Sequence, residues 1–442
     1  MKGDEKLFSI WLSLCTGAAS AEFAPLIAKF GSAYALFCAE ESDIEALDIS
    51  EGLKGRLCNK SLDEAYGILE YCQKHGVGIL CYTDAAYPST LRAIKAPPCV
   101  LYYKGKLPDF EKRLFISMVG TRSMSEYGKE MAYRISYELA STGTVIVSGM
   151  ALGVDAACAV GALAAKGCTV AVLGCGIDVP YPRQHERLMH AIAEKGLVLT
   201  EFPPSTPPRG YHFPLRNRLI SGLGAGTLVV EADLGSGALI TAREAIVQGK
   251  DIYAIPGNVG DPNTSGTNAL IRDGAAVVLG ARDILQNYAF LYRDSVDSAR
   301  LMRAQERSDP DPAVFARYGV GLPAASAPVK SVAEVRREQS EASKPSAPKA
   351  DKGKREAVQP KQADAAPAQT AAQPHADDSA AVLAQFTPKQ REMFAQIPLD
   401  KAISADWLVR CGYPTHEVMM ALTMFEIKGL VSSLPGGLYT RK

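Results

Sequence analysis

Glycine and hydroxyl residues follow several predicted β-strands in the central part of the chain, where they form short loops. The first strand ends in Gly120-Thr121-Arg122, the second in Ser148-Gly149, and a later one leads into Gly235-Ser236-Gly237. Glycine lets the backbone approach a ligand closely, and the N-terminus of a helix carries partial positive charge. A single such loop is ordinary in an αβ connection. Repeated along one sheet, these loops predict a rim that binds anions such as phosphate.

Arginine and aromatic residues lie close to these loops in the sequence. Guanidinium groups bind phosphates through paired hydrogen bonds, and an aromatic ring such as Phe213 or Tyr211 can stack on a nucleic-acid base. In the alternative interpretation, Arg216 and Arg218 pair with carboxylates such as Glu201 or Glu231. The arginines in question are Arg122, Arg183, Arg209, Arg216, Arg218 and Arg243.

Motifs typical of enzymes, cofactors and metals are absent from the sequence. It contains no Walker A motif, no Gly-x-Ser-x-Gly, no His-Glu-x-x-His, and no Cys-x-x-Cys pair that would indicate a zinc site. Gly174 and Gly176 lack the third glycine of a dinucleotide-binding loop. Asp155 could act as an acid or base, but a position near a helix start favours a capping role. We therefore expect no catalytic activity, cofactor or metal.

Residues 113–290 alternate short runs rich in apolar and β-branched residues with helical stretches. Strands of this kind, each followed by a crossover helix, form a parallel sheet that is buried on both faces. The pattern predicts an α/β fold with a Rossmann-like, doubly wound parallel sheet. Ligands of such sheets bind at the carboxyl ends of the strands, where the glycine loops lie.

The remaining segments predict four further regions. Residues 1–75 read as a small helical domain, similar to SAM or helix-hairpin-helix modules, and 76–112 as a connecting segment. Within residues 300–380, the stretch 331–380 has 13 Ala, 16 charged residues and no Leu, Ile, Met or aromatic residue, which predicts a disordered linker. Residues 381–442 show three helical segments followed by a hairpin, the pattern of a winged helix.

Charge and cysteine content restrict the class of protein. Lys+Arg and Asp+Glu number 48 each in the 442 residues, which excludes a uniformly basic nucleic-acid binder. Scattered cysteines in a long chain are typical of reduced thiols in a cytoplasmic protein. The apolar stretch 7–15 imitates a signal peptide, but it follows Asp4 and Glu5 and is too short to span a bilayer. We expect a cytoplasmic protein without membrane contact.

The sequence between residues 113 and 285 closely resembles the bacterial DprA/Smf family of DNA-processing proteins. The N-terminal helical region and the terminal winged helix match the family's layout more loosely. The motifs that carry the resemblance are Val119-Gly120-Thr121-Arg122, Ser148-Gly149-x-Ala151-x-Gly153-Val154-Asp155, Gly176-Ile177-Asp178-Val179-x-Tyr181-Pro182, Phe213-Pro214-Leu215-Arg216-Asn217-Arg218-Leu219-Ile220-Ser221-Gly222-Leu223, Val230-Glu231-Ala232, Gly235-Ser236-Gly237-Ala238-Leu239-Ile240-Thr241-Ala242, Ile255-Pro256-Gly257 and Ser265-Gly266-Thr267-Asn268-x-Leu270-Ile271.

This resemblance implies a non-enzymatic protein that binds single-stranded DNA, protects incoming DNA in natural transformation, loads the recombinase RecA and forms a homodimer. The chain departs from the family at Ala159 and Val160, where the family commonly has His-Arg, and at His185, where Asn is usual. Together with the arginine and glycine patterns, the resemblance predicts these DNA-binding residues: Gly120, Thr121, Arg122, Gly149, Arg183, Arg209, Phe213, Arg216, Asn217, Arg218, Gly235, Ser236, Gly237, Thr241 and Arg243.

Two other functions are compatible with parts of the sequence. A nucleotide phosphoribohydrolase of related architecture would use Arg216 or Arg218 on phosphate and Glu244 as acid, but its Pro-Gly-Gly-x-Gly-Thr loop is missing. A transcription regulator would read duplex DNA through the third winged-helix segment, yet residues 415–427 contain no Lys or Arg. The N-terminal helices favour packing or protein contact over direct contact with nucleic acid.

Overall fold

The computed structural model describes two compact units, Met1–Pro345 and Ser346–Lys442. The first unit is described over residues 2–321. The second is described at 386, 388–398, 403–404, 407–408, 411, 413, 418, 421–422, 425, 430–434 and 438–441.

A nine-stranded sheet forms the centre of the first unit. Its order is β1-β2-β6-β5-β4-β3-β7-β8-β9, and all pairings are parallel except β1 with β2 and β2 with β6. The Rossmann-like fold is therefore confirmed, with an antiparallel extension at one edge. The strands are β1 (Gly78–Cys81), β2 (Val100–Gly105), β3 (Phe115–Val119), β4 (Val145–Ser148), β5 (Thr169–Val172), β6 (Leu197–Thr200), β7 (Gly226–Val229), β8 (Asp251–Ala254) and β9 (Ala276–Val277).

Helices cover both faces of this sheet and create two hydrophobic cores. In β3, Ile116 and Met118 join one core, and Phe115 and Val119 join the other, because successive side chains of a strand point to opposite faces. The helices are α1 (Lys2–Thr16), α2 (Phe23–Phe30), α3 (Ala33–Phe37), α4 (Glu41–Glu45), α5 (Glu51–Cys58), α6 (Asp63–Lys74), α7 (Ser89–Arg92), α8 (Glu126–Ser141), α9 (Val154–Ala164), α10 (Glu186–Lys195), α11 (His212–Leu223), α12 (Gly237–Val247), α13 (Ser265–Arg272), α14 (Ala281–Tyr288), α15 (Ala299–Gln305) and α16 (Pro312–Arg317).

The expected connecting segment 76–112 instead contributes β1 and β2 to the sheet. Val100, Leu101 and Tyr102 are almost fully buried, and β2 pairs with β6. The helices before it also share their core with the sheet, since Ile10 and residues of β2 belong to one buried cluster. The N-terminal helices therefore pack directly on the sheet rather than forming a separate body.

The beginning of the predicted linker, residues 300–321, is also structured. Helices α15 and α16 pack on the sheet's helical layer, with Phe315 fully buried against Tyr133 at a ring distance of 5.5 Å. The Ser308 hydroxyl donates to the buried carboxylate of Glu138 at 3.1 Å. Large apolar residues such as Phe315 offset the entropy of ordering here. The rest of the predicted linker, 322–380, lies outside the described residues.

The second unit contains a small antiparallel sheet of order β10-β12-β11 and helix α17 (Pro388–Gln396). The strands are β10 (Ile403–Ser404), β11 (Val431–Leu434) and β12 (Leu438–Arg441). Val418, Leu422 and Phe425 are buried at helical spacing, in a core shared with Phe394. Ser404 of β10 pairs with Leu438 of β12.

Candidate nucleic-acid interface

A cleft of about 400 Å³ opens at the carboxyl ends of β3 and β4, bounded by the first turns of α11 and α12. Strand β3 lies between β4 and β7, so the chain proceeds outward in opposite directions from this point. Ligands of doubly wound sheets bind at such a switch point because the loops separate there. The cleft is lined by Val119, Gly120, Thr121, Arg122, Ala151, Asp155, Gly210, Phe213, Pro214, Arg216, Asn217, Ile220, Asp233, Ser236, Gly237, Ala238, Ile240 and Thr241.

Phe213 is the aromatic centre of this cleft. The Arg122 guanidinium carbon lies 5.4 Å from the Phe213 ring centroid, and that of Arg216 lies 6.0 Å away. The ring of Tyr181 packs against Phe213 at 5.2 Å. Arg122 is exposed on the loop after β3, whereas Phe213 is half-buried in the first turn of α11. An exposed cation and an aromatic ring are therefore presented side by side.

Arg216 is buried and supports the loop that follows β4. Its guanidinium donates to the carbonyl oxygens of Gly149, at 2.9 Å, and of Val172. Burial lowers the pKa of Arg216 to about 10, although the nearby Asp155 carboxylate opposes this shift. The Asp155 carboxylate in turn accepts hydrogen bonds from the amides of Gly149 and Ala151, at 3.1 and 3.3 Å. Burial raises the pKa of Asp155, while Arg216 counteracts the rise. This pair fixes the floor of the cleft.

The first turn of α12 lines the same cleft as Arg122. Ser236 caps this helix, its hydroxyl accepting from the Ala238 amide at 3.3 Å, and Asp233 accepts from the Gly235 amide at 2.7 Å. Gly235 and Gly237 are exposed. The first N–H groups of a helix have no partner within it. An anion at this end of the cleft would therefore meet both partial positive charge and amide donors.

The structure brings most of the predicted DNA-binding residues together and separates several arginines from them. Gly149 lines a smaller pocket beside the cleft, together with Tyr181 and Pro182. Gly235 precedes the residues of α12 that line the cleft. Those that line the cleft itself are Gly120, Thr121, Arg122, Phe213, Arg216, Asn217, Ser236, Gly237 and Thr241.

Arg183, Arg209 and Arg243 are exposed but do not line the cleft. Arg183 begins a short 3-10 helix, Arg183–His185, directly after Tyr181 and Pro182. The guanidinium of Arg209 donates to the Tyr211 hydroxyl at 3.0 Å, two residues before Phe213. These two arginines can extend a cationic track beyond the cleft, whereas Arg243 lies on the second turn of α12.

Arg218 does not belong to the cleft. It is buried and donates from one guanidinium nitrogen to both carboxylate oxygens of Glu201, at 2.6 and 2.8 Å. Residues two positions apart in an α-helix point in directions about 200° apart, so Arg218 faces away from Arg216. Arg218 therefore fits the alternative interpretation of the sequence, in which it pairs with a carboxylate instead of binding phosphate. Glu231 pairs with no arginine among the residues that the structure describes, and it accepts from the Ser125 amide at 2.9 Å and from the Ser125 hydroxyl.

Asp155, Asp233 and Tyr181 line the cleft or its side pocket but were not predicted as site residues. Asp155 was interpreted as a helix cap, yet it bonds amides of the preceding loop. The two carboxylates balance the charges of Arg122 and Arg216 within the cleft, and the phenol adds a polar group to its side pocket. Their signal was their position, since each lies after the end of a strand and before or within the first turn of the helix that follows it.

The departures from the family pattern lie behind the cleft rather than in it. Ala159 and Val160 are buried in α9, within the core. His185 is buried too, and its Nδ1 lies 3.2 Å from the Met150 carbonyl oxygen. Burial lowers the pKa of His185, which favours the neutral ring beside that carbonyl. His185 thus contacts the loop after β4 without lining the cleft.

Two negative findings complete the description of the described residues. Within residues 2–321 and the described parts of the second unit, no three His, Cys, Asp or Glu side chains are grouped as metal ligands. In the same residues, no helix combines the length and apolar character needed to cross a membrane.

Two family models match parts of this chain. Residues 78–289 match the family model described as DNA recombination-mediator protein A, and residues 366–437 match that of the DprA winged helix domain. The second match confirms the predicted winged helix. The first begins at β1, in agreement with the extended sheet.

The alignments with individual relatives include most of each relative's length. The chain is 38% identical to DNA processing protein DprA of Bacillus subtilis over 50% of this chain and 74% of the relative. It is 36% identical to protein Smf of Escherichia coli over 57% of this chain and 69% of the relative. The crystal structure of DNA processing protein A from Streptococcus pneumoniae, 32% identical, covers 63% of this chain and 97% of its own, with a TM-score of 0.56. The chain therefore belongs to the DprA/Smf family of DNA-processing proteins.

Proposed function

We propose that the chain binds single-stranded DNA in the cleft at the carboxyl edge of its sheet. The observation that carries this proposal is the pairing of the exposed Arg122 with the half-buried Phe213 ring, 5.4 Å apart. Sequence-tolerant binding of single strands combines cations that follow the backbone with rings on which bases stack. Both groups occur here at one cleft, next to the amide donors of α12.

In this arrangement, phosphates would follow the exposed arginines while a base enters the cleft. Arg122 holds one phosphate, Arg209 and Arg183 hold others further along, and the Gly237 amide at the start of α12 is a further donor at the cleft. The base stacks on the Phe213 ring, next to the ring of Tyr181. Phosphate contacts carry no sequence information and stacking accepts every base, so little sequence preference is expected.

Single strands are favoured over duplex because a duplex keeps its bases stacked inside the helix. Reaching Phe213 in a duplex would require unstacking of a base, which costs a few kcal/mol. A single strand offers the base without most of this cost. The cleft therefore discriminates by access to the base, while the arginines contribute to both kinds of DNA.

Arg122→Ala is expected to weaken binding of a labelled oligothymidine about tenfold, equivalent to about 1.4 kcal/mol. Loss of one phosphate contact should also reduce the slope of log affinity against log salt by about 0.7. Fluorescence anisotropy at several salt concentrations measures both quantities. Arg303→Ala is the matched control, because Arg303 is exposed on α15 and does not line the cleft.

Three results would contradict this proposal. Binding of duplex DNA by the wild-type protein as tightly as single-stranded DNA would mean that base access plays no part. Unchanged binding of Arg122→Ala would place the DNA elsewhere. Release of free base from a nucleoside monophosphate would favour the phosphoribohydrolase alternative, with the cleft holding a small phosphorylated ligand.

We further propose that the protein is a cytoplasmic, non-enzymatic homodimer that protects incoming DNA during natural transformation and loads RecA onto it. Membership of a DNA-processing family supports this role. Two clefts in a dimer would raise affinity through effective concentration. Sedimentation should give twice the 47.2 kDa chain mass, and the protein should shorten the lag of RecA assembly on protein-coated single strands. A monomer, or an unchanged lag, would contradict the corresponding claim.

A further inference from the structure

A carboxylate outside the cleft connects the N-terminal helices to the segment that carries Arg209 and Phe213. Asp178, in the turn after β5, accepts hydrogen bonds from the Tyr71 hydroxyl at 3.1 Å and from the Ser205 amide at 2.7 Å. The Ser205 hydroxyl adds a third, also at 3.1 Å. Tyr71 lies on α6, so one side chain joins three separate parts of the chain.

The backbone around Ser205 depends on this contact. Ser205 adopts a φ of +62°, a region that side chains other than glycine seldom occupy and that needs support from neighbouring groups. Asp178 supplies that support by accepting from both its amide and its hydroxyl. Next to it, the Gly176 amide donates to the Thr206 carbonyl at 2.9 Å, which holds the two turns together. Removal of the carboxylate would therefore release Ser205 toward more common conformations.

A second contact holds the beginning of the same segment. The Ala19 amide, in the loop after α1, donates to the Glu201 carboxylate at 3.0 Å. The segment 201–213 is thus fixed to the N-terminal helices at Glu201 and, through Asp178, at Ser205. Arg209 and Phe213 follow directly, whereas Asp178 itself does not line the cleft. Any influence of Asp178 on DNA must pass through the position of this segment.

We propose that Asp178 is a positioning residue for single-strand binding, which ties the segment 205–213 to helix α6 through Tyr71. Because the N-terminal helices hold this segment at two points, they contribute to the DNA site without touching the cleft. The hydrogen bonds from Ser205 and Tyr71 also lower the pKa of Asp178 in spite of its burial, so the carboxylate stays ionised and keeps its acceptors at neutral pH. This inference rests on the proposed function.

Asp178→Asn and Tyr71→Phe test the inference in the full-length protein. Asp178→Asn replaces one acceptor oxygen with an N–H donor and removes the negative charge, and Tyr71→Phe removes the hydroxyl donor, both with little change of volume. We expect Asp178→Asn to weaken oligothymidine binding about fivefold and Tyr71→Phe to weaken it less. Tyr66→Phe is the matched control, since Tyr66 is an exposed tyrosine on the same helix. Thermal unfolding measured alongside reports the structural effect of each change.

A second measurement separates positioning from a general loss of stability. In a background with both Arg209→Ala and Phe213→Ala, the effect of Asp178→Asn on affinity should fall to less than about twofold. Its effect on the unfolding temperature should persist. An equal fivefold loss in both backgrounds, or no loss in the wild-type background, would overturn the inference. Arg122→Ala is measured in the same series to separate the two proposals. Unchanged binding by Arg122→Ala would refute the DNA site in the cleft, whereas unchanged binding by Asp178→Asn alone would refute only the positioning role of Asp178.

Discussion

Replacing Arg218 with methionine is expected to lower the free energy of unfolding by about 3–5 kcal/mol. The side chains of Arg218 and Glu201 are only 9% and 7% exposed, and the two form a buried ion pair. Removal of the guanidinium leaves a buried carboxylate with the Ala19 amide as its remaining donor. An unpaired buried charge costs far more than the net worth of the pair. The folded variant should bind single-stranded DNA as the wild type does.

Urea unfolding measured by circular dichroism, with oligothymidine binding under native conditions, checks both parts of this prediction. The double variant Arg218→Met/Glu201→Gln should recover part of the lost stability, because no unpaired charge then remains. Arg243→Met, an exposed arginine on α12, is the matched control and should change stability by less than about 0.5 kcal/mol. If Arg218→Met kept its stability and lost tenfold in affinity, Arg218 would be a DNA contact after all.

Arg218 also illustrates what the sequence can and cannot predict about the site. The carboxyl ends of parallel strands meet at one edge, so the sequence alone could predict that the loops after β3 and β4 lie together. It could not assign faces within α11, where Arg216 and Arg218 are two residues apart and point to opposite sides. The partner of Arg218, Glu201, follows β6, and only the folded sheet brings it near. The same holds for Tyr71 and Asp178.

The fold could be predicted where local pattern and tertiary structure agree. The buried parallel strands are continuous apolar runs, and the Rossmann-like sheet and winged helix follow from their patterns. Strands β1 and β2 escaped prediction because they join the sheet by antiparallel pairing, outside the alternating strand–helix pattern of residues 113–290. Leu301 and Phe315 lie in short apolar runs between charged residues, and their burial depends on a surface that only the folded helical layer provides.

Gly153→Ala is expected to lower both stability and DNA affinity, because this glycine lies where the loops after β3 and β4 touch. Its φ of +76° and ψ of −127° suit only glycine. A Cβ built there would lie 2.4 Å from the Thr121 carbonyl oxygen and 2.7 Å from the Arg122 carbonyl carbon. Backbone strain and overpacking together should cost about 2–4 kcal/mol. Relief of the clash would displace Thr121 and Arg122, and we expect about a tenfold loss of affinity for oligothymidine.

Gly249→Ala separates the steric clash from the effect of positive φ. Gly249 has a φ of +68° with nothing within 4 Å of a built Cβ, and it lies after α12, away from the cleft. Both substitutions reduce the entropy of the unfolded chain equally, so the control should lose only about 1 kcal/mol and no affinity. Urea unfolding and anisotropy of both variants measure the difference. If Gly153→Ala lost stability to the same small extent as Gly249→Ala and bound DNA normally, the contact between the two loops would not determine where Arg122 lies. If the folded Gly153→Ala variant instead loses affinity, beyond what its unfolded fraction accounts for, then DNA binding depends on the exact position of the loop that carries Arg122. The proposed cleft requires this dependence.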